Sequence, residues 1–242
     1  MDSTQSSLKK RSFDDAKQQV PKRICAGNDT LHVEGFAVHK QLIEIPAVVL
    51  ADLQRQSTRA EAIFNGVDDG TEVKGDGKRR QFRLGRSKVA KSFEAALDSQ
   101  ISQLTAHKRS PWVVIQSQAG CQEQPAHTDY EPQAELPSDQ VPLALLLAVM
   151  PGTRLHVWPR SIGLSADASR ISGPIAKQTL ELQPGDAVLF RGDLVHAGAA
   201  YKSDHLRMHC YLDSAAVKRA ANATWLINSD NVDTRLRAAI RQ

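Results

Sequence analysis

The chain has 242 residues and a mass of 26.5 kDa, enough for one large domain or a domain with a tail. Apolar residues at 41% and charged ones at 24% suit a chain that buries a substantial core, and no apolar run nears the 18 or so residues of a membrane span. The net charge of +4 is too small and too uneven for a protein that coats nucleic acid by bulk charge.

Residues 1–30 carry six Lys or Arg against four Asp and have few apolar residues, without periodicity. A disordered basic tail is expected there, with no hydrophobic segment for a secretory signal. Within it, Lys9-Lys10-Arg11 is followed by ten residues and then Lys22-Arg23, the layout of a bipartite nuclear localisation signal. A nuclear import receptor is thus an expected partner, and the nucleus the expected compartment, with the cytoplasm as the alternative. Cys25, Cys121 and Cys210 have neither pairing arithmetic nor zinc-ligand spacing, which agrees with a reducing compartment.

Order is expected from Leu31, so that 31–242 forms one domain. LHVEGFAVHKQLI reads as two short strands around Gly35, and VVLADLQRQSTRAEAIF as a helix after Pro46. Residues 65–80 hold four glycines and much charge and are expected to form a long loop. SFEAALDSQISQL has helical spacing, with Ser92 as its cap. From Pro111 onward WVVIQ, VPLALLLAVM, TRLHVWP, KQTLELQ, DAVLF and HLRMHCYLD are strand-like, divided by Pro-Gly at 151–152 and 184–185. The expected class is mainly β with flanking helices, a jelly roll.

The strongest chemical signal is His127-Thr128-Asp129 together with His196. On a strand, residues i and i+2 share a face, so His127 and Asp129 can grip one ion while His196 closes the site from a neighbouring strand. Two imidazoles and one carboxylate leave three octahedral positions open, an arrangement that suits non-haem Fe(II). The same ligands also suit Zn²⁺ or Mn²⁺ in a hydrolase or a non-oxidative, cupin-like metal-binding protein. On the strand of HLRMHCYLD, Leu206, Met208, Cys210 and Leu212 form one face, and Arg207, His209 and Tyr211 the other. A buried Arg needs an anion, and a planar guanidinium suits a carboxylate.

With LELQPGDAVLFRGDLVHAG delivering His196 and Arg207 eleven residues later, the sequence resembles the Fe(II)/2-oxoglutarate-dependent dioxygenases, particularly the phytanoyl-CoA hydroxylase-like branch. The order of elements matches over roughly 31–215, and the specific motifs lie in 111–130 and 180–212. The resemblance implies a double-stranded β-helix, Fe(II) on His127, Asp129 and His196, and 2-oxoglutarate held at its far carboxylate by Arg207. It also implies a co-substrate contact on the strand before the His-x-Asp, where Gln116 and Gln118 stand without the family's frequent Tyr; Tyr211 is the second expected contact. The reaction implied is hydroxylation of a C–H bond, or demethylation where that bond belongs to an N-methyl group.

The substrate is read from charge. Residues 71–91 carry eight bases against Glu72 and Asp76, and Lys78, Arg79, Arg80 and Arg83 are candidates for following a phosphate backbone. A nucleic acid is one expected substrate. A small molecule or acyl-thioester is the other. The polar segment 131–140, just after the ligands, is a natural substrate-facing lid.

Overall fold

Alternating apolar residues bring two sheets together, and these supply the two walls of the site described below. The computed structural model of the chain describes residues 27–62, 66–68, 71–73, 77–130, 136–137, 139–162, 176–217, 219 and 225–226. The basic clusters at 9–11 and 22–23, and most of the expected lid at 131–140, lie outside these residues.

In chain order, α1 (Gly27–Val33) leads to β1 (Phe36–His39), and α2 (Ala47–Gln56) ends in a 3-10 turn at Ser57–Arg59. Strands β2 (Glu61–Ala62), β3 (Gly66–Asp68), β4 (Thr71–Val73) and β5 (Arg79–Arg83) precede α3 (Lys88–Ile101). After α3 come β6 (Lys108–Arg109), β7 (Val113–Ser117), β8 (His127–Thr128), β9 (Leu143–Ala148) and β10 (Thr153–Val157). They are followed by β11 (Gln178–Leu182), β12 (Ala187–Arg191), β13 (His196–Gly198), β14 (His205–Asp213) and β15 (Trp225–Leu226).

One sheet runs β1-β12-β9-β14-β7-β5-β2, with β6 also pairing β14, and the other runs β11-β10-β13-β8-β15-β3-β4. Pairing is antiparallel except between β15 and β3. β9 explains the layering. Its six residues are all buried, which requires cover on both faces. Leu143, Leu145 and Leu147 pack with Val49 and Leu53 of α2 and Phe93, Leu97 and Ile101 of α3. Ala144, Leu146 and Ala148 pack inward with Leu155, Val157, Leu180 and Leu182 of the opposing sheet. β14 alternates in the same way, with Leu206, Met208, Cys210 and Leu212 in the helix-side cluster and Arg207, His209 and Tyr211 turned between the sheets.

Several boundaries differ from expectation. LHV belongs to a helix starting at Gly27, four residues before the expected onset of order. α2 stops at Gln56, because Ser57 and Thr58 turn their hydroxyls onto the carbonyls of Gln54 and Arg55 and compete with further helical turns. α3 begins at Lys88 and is capped by Ser87, not Ser92: Ser87 Oγ accepts from the Ala90 amide at 3.0 Å and donates to Asp52 of α2 at 2.7 Å. Residues 65–80, expected as a loop, carry β3, β4 and the start of β5.

Candidate active site

β8 and β13 are antiparallel neighbours with His127 opposite His196, so both imidazoles stand on one face with ring centroids 4.3 Å apart. Asp129, two residues beyond His127, returns to that face. Its amide donates to Gly192 O at 3.0 Å, which ties it to the turn before β13. That turn needs glycine, since a Cβ on Gly192 would lie 2.2 Å from the Tyr130 ring. One nitrogen or oxygen from each of His127, Asp129 and His196 lies within 4.8 Å of the others, a spacing a single metal ion can span.

The hydrogen bonds fix which atoms are offered. His127 Nδ1 is 2.7 Å from Pro125 O, and His196 Nδ1 is 3.0 Å from Leu194 O. Each Nδ1–H therefore donates to a carbonyl two residues upstream, leaving each Nε2 with its lone pair toward the shared space. Burial, joined by the neighbouring His196, lowers His127 to about 3, and burial also lowers His196. Both rings are thus neutral and able to ligate at neutral pH. Burial alone raises a carboxyl, but His196 and His209 outweigh it and hold Asp129 below the usual carboxylate range. His196 Nε2 is 3.7 Å from Asp129 Oδ1, and His209 Nε2 is 3.3 Å from Oδ2. The second approach is within ion-pair distance but off hydrogen-bond alignment, so Oδ2 is a buried oxygen without a hydrogen bond. Two lone-pair nitrogens beside an ionised carboxylate fit a divalent cation.

A cavity of about 80 Å³ joins this group to Arg207, with Gln81, Gln124, Leu146, Leu155, Phe190 and Tyr211 among its walls. Arg207 is 2% exposed, and burial works against its charge. Its Nη1 donates to Ser117 Oγ at 3.2 Å and its Nη2 to Gln124 Oε1 at 3.3 Å, while Nε has no hydrogen-bond partner among the described residues. Among the described residues no carboxylate comes within ion-pair distance of it. A buried cation surrounded only by neutral acceptors calls for an anion from outside. Tyr211 is a neutral phenol at this wall, since burial and Asp129 push it above its ordinary range.

The structure brings together His127, Asp129, His196, Arg207 and Tyr211 and separates the other sequence candidates. Gln116 does not face the cavity. β7 alternates, and Gln116 shares the helix-side face of Val114, so Val113 and Ile115 form the wall instead. The basic group also divides. Arg79 is buried, Arg80 is half-buried with its Nε on Ala60 O, and only Lys78 and Arg83 are exposed. Adjacent residues of β5 point to opposite faces, so the four do not form one phosphate-tracking surface. Ser117, Gln124 and the contact of His209 with Asp129 carried no sequence motif. His209 alone was signalled, by its place on the Arg207 face.

No family model matches the sequence, and no curated protein matches it. Solved structures do resemble it. One is the epimerase SnoN of nogalamycin biosynthesis, in complex with Fe3+, alpha ketoglutarate and nogalamycin RO; it is 14% identical, with a TM-score of 0.55 over 85% of this chain and 95% of that one. A second is a prolyl hydroxylase from Trichoplax adhaerens in complex with a hypoxia inducible factor peptide, 13% identical, with a TM-score of 0.55 over 78% and 88% of the two chains. A third is HygX from Streptomyces hygroscopicus with nickel and 2-oxoglutarate bound, 10% identical, with a TM-score of 0.52 over 80% and 88%. The chain has the jelly-roll fold of the Fe/2-oxoglutarate-dependent oxygenases. At these identities the likeness is one of fold, and it does not single out the phytanoyl-CoA hydroxylase-like branch.

Proposed function

We propose that the chain is a non-haem Fe(II), 2-oxoglutarate-dependent dioxygenase that oxidises a C–H bond. The observation that carries this reading is a single cavity with two unlike ends. At one end His127 and His196 offer neutral ligands and Asp129 an anionic one; at the other, Arg207 has no anionic partner among the described residues. A hydrolytic metal centre needs the first end but not the second. The iron and 2-oxoglutarate complexes formed by SnoN, and the 2-oxoglutarate complex of HygX, support the same assignment.

His127, Asp129 and His196 would hold the iron, which when bound supplies oxygen activation coupled to decarboxylation of 2-oxoglutarate to succinate and CO₂. Arg207 grips the far carboxylate with its planar fork, which orients the keto-acid end toward the triad. Gln124 Oε1 accepts from Gly198 N and Arg207, so its amide nitrogen is left as a further donor at the cavity wall. Tyr211 donates through its O–H. Leu146, Leu155 and Phe190 give the cavity apolar wall, and a lower local dielectric strengthens each of these contacts.

For the substrate, the nucleic-acid reading rests on the exposed bases Lys78, Arg83, Arg86, Lys88 and Lys91, and at an N-methyl carbon the oxidation becomes demethylation. The burial of Arg79 and the half-burial of Arg80 favour a small molecule or acyl-thioester instead. The test is succinate release from 2-oxoglutarate with Fe(II), across methylated DNA and RNA oligonucleotides and small acyl compounds. Wild type should turn over with at least one class, and Asp129→Ala should lose about a hundredfold or more with its circular dichroism unchanged, since even outer partners of a metal cost 10–100-fold. Full activity in Asp129→Ala, or no succinate with any class, overturns the reading.

A further inference from the structure

Arg79 lies on β5, away from both sequence motifs, and its guanidinium is built into the wall behind Arg207. It is 7% exposed, and its Nη1 donates to Ser117 Oγ at 2.9 Å. The same oxygen accepts from Arg207 Nη1 at 3.2 Å, so one hydroxyl joins two buried cations. The strands set this up: Arg79 is opposite Ser117 across β5 and β7, and Ser117 is opposite His205 on β14, two residues before Arg207. Arg79 Nη2 then reaches Gln122 O at 2.8 Å and Ala199 O at 3.1 Å. Gln122 lies on the segment leading to His127, and Ala199 follows the strand that carries His196.

Gly198 is what lets the two guanidiniums meet. A Cβ there would lie 2.3 Å from Gln124 Oε1 and 2.6 Å from Arg207 Nη2, closer than a side chain allows, and a tight 3.0 Å from Arg79 Nη1. Both cations therefore converge on the bare backbone of β13, two residues along the strand from His196. A structural arginine needs acceptors, and Arg79 has them. A second guanidinium beside Arg207, which has no carboxylate within ion-pair distance among the described residues, raises the cost of that buried charge unless an anion is seated against it.

We propose that Arg79 is a positioning residue for the dicarboxylate co-substrate. Through Ser117 it fixes the plane of the Arg207 guanidinium, and its own charge deepens the positive potential felt by the far carboxylate. This rests on the oxygenase reading above. The role differs from that of a structural staple in one measurable way: it acts on the far carboxylate and not on the keto-acid end.

The experiment uses full-length protein loaded with Mn(II) under anaerobic conditions, titrated calorimetrically with 2-oxoglutarate and with 2-oxopentanoate, which has the same chain without the far carboxylate. Wild type should prefer 2-oxoglutarate strongly. Arg79→Met should weaken 2-oxoglutarate about tenfold, the lower range for loss of an outer partner, and leave 2-oxopentanoate and Mn(II) affinity unchanged. Arg79→Lys, which keeps the charge without the fork, should recover part of that loss. Ser117→Ala should act in the same direction as Arg79→Met, and it decides the matter if Arg79→Met does not fold. Equal weakening of both ligands, or no change in either, overturns the proposal and makes Arg79 a structural residue. A wild type that binds no 2-oxoglutarate at all overturns the oxygenase reading itself, and this inference with it.

Discussion

His127 and His196 are neutral because they are buried, and that neutrality ties metal binding to the stability of the empty protein. The folded chain gives up the His127 proton at about 3, whereas the unfolded chain holds it up to about 6.5. Between those values the unfolded state binds more protons, so stability falls as pH drops. Metal-free wild type should lose about 2 kcal/mol from this one group between about pH 7 and about pH 5. Denaturant unfolding at the two pH values, compared with His127→Gln, measures it: the variant should show the smaller decline, and parallel curves would contradict the assignment. The grouping of His127, Asp129 and His196 was legible in the sequence because residues two apart in an extended segment share a face. Ser117 and Gln124 were not, because their meaning comes from strands and loops that only the fold brings to Arg207. Gln116 was misplaced by a single residue of register, which on a strand reverses the face.

At the scale of elements, β5 shows how a charge run can be split by its own pleat. Gln81 lines the cavity and Arg79 shares its face of the strand, Arg80 and Phe82 turn to the helix side, and Arg83 is exposed at the end of the strand. A polyanion can reach only the exposed bases. If these grip duplex phosphates, each contact releases counterions worth about 0.9 log units of affinity per log unit of salt. Neutralising Lys78 and Arg83 should then lower the salt slope by about 1.8, while Arg80→Gln should leave it unchanged. Filter binding of a DNA duplex across a salt series makes the comparison. Equal slopes, or no binding at low salt, return the substrate to the small-molecule class. The long strands were readable from alternation alone, whereas β8 and β13, at two and three residues, are too short to alternate visibly. The caps of α2 and α3 depended on which serine and threonine hydroxyls turn back on the backbone, a choice that tertiary contacts such as Ser87 to Asp52 settle.

For the molecule as a whole, the two sheets supply the two halves of the site. β8 and β13 of one carry the histidines, and β14 of the other carries Arg207, His209 and Tyr211. The jelly-roll class was legible because six strand-like runs separated by turn chemistry leave few alternatives. The depth of the cavity, and the neutral acceptors around Arg207, depend on how the sheets close on each other and have no linear signature. A dicarboxylate that spans from Arg207 to a metal on the triad makes the two binding events interdependent, and linkage then requires each to strengthen the other by the same factor. The decisive measurement is the anaerobic dissociation constant of 2-oxoglutarate with and without Fe(II), for wild type and Arg207→Ala. Binding should be at least about tenfold tighter with Fe(II) in wild type, a coupling of about 1.4 kcal/mol, with a large loss of affinity in Arg207→Ala. Equal affinity with and without the metal, or an Arg207→Ala protein that binds like wild type, would contradict it.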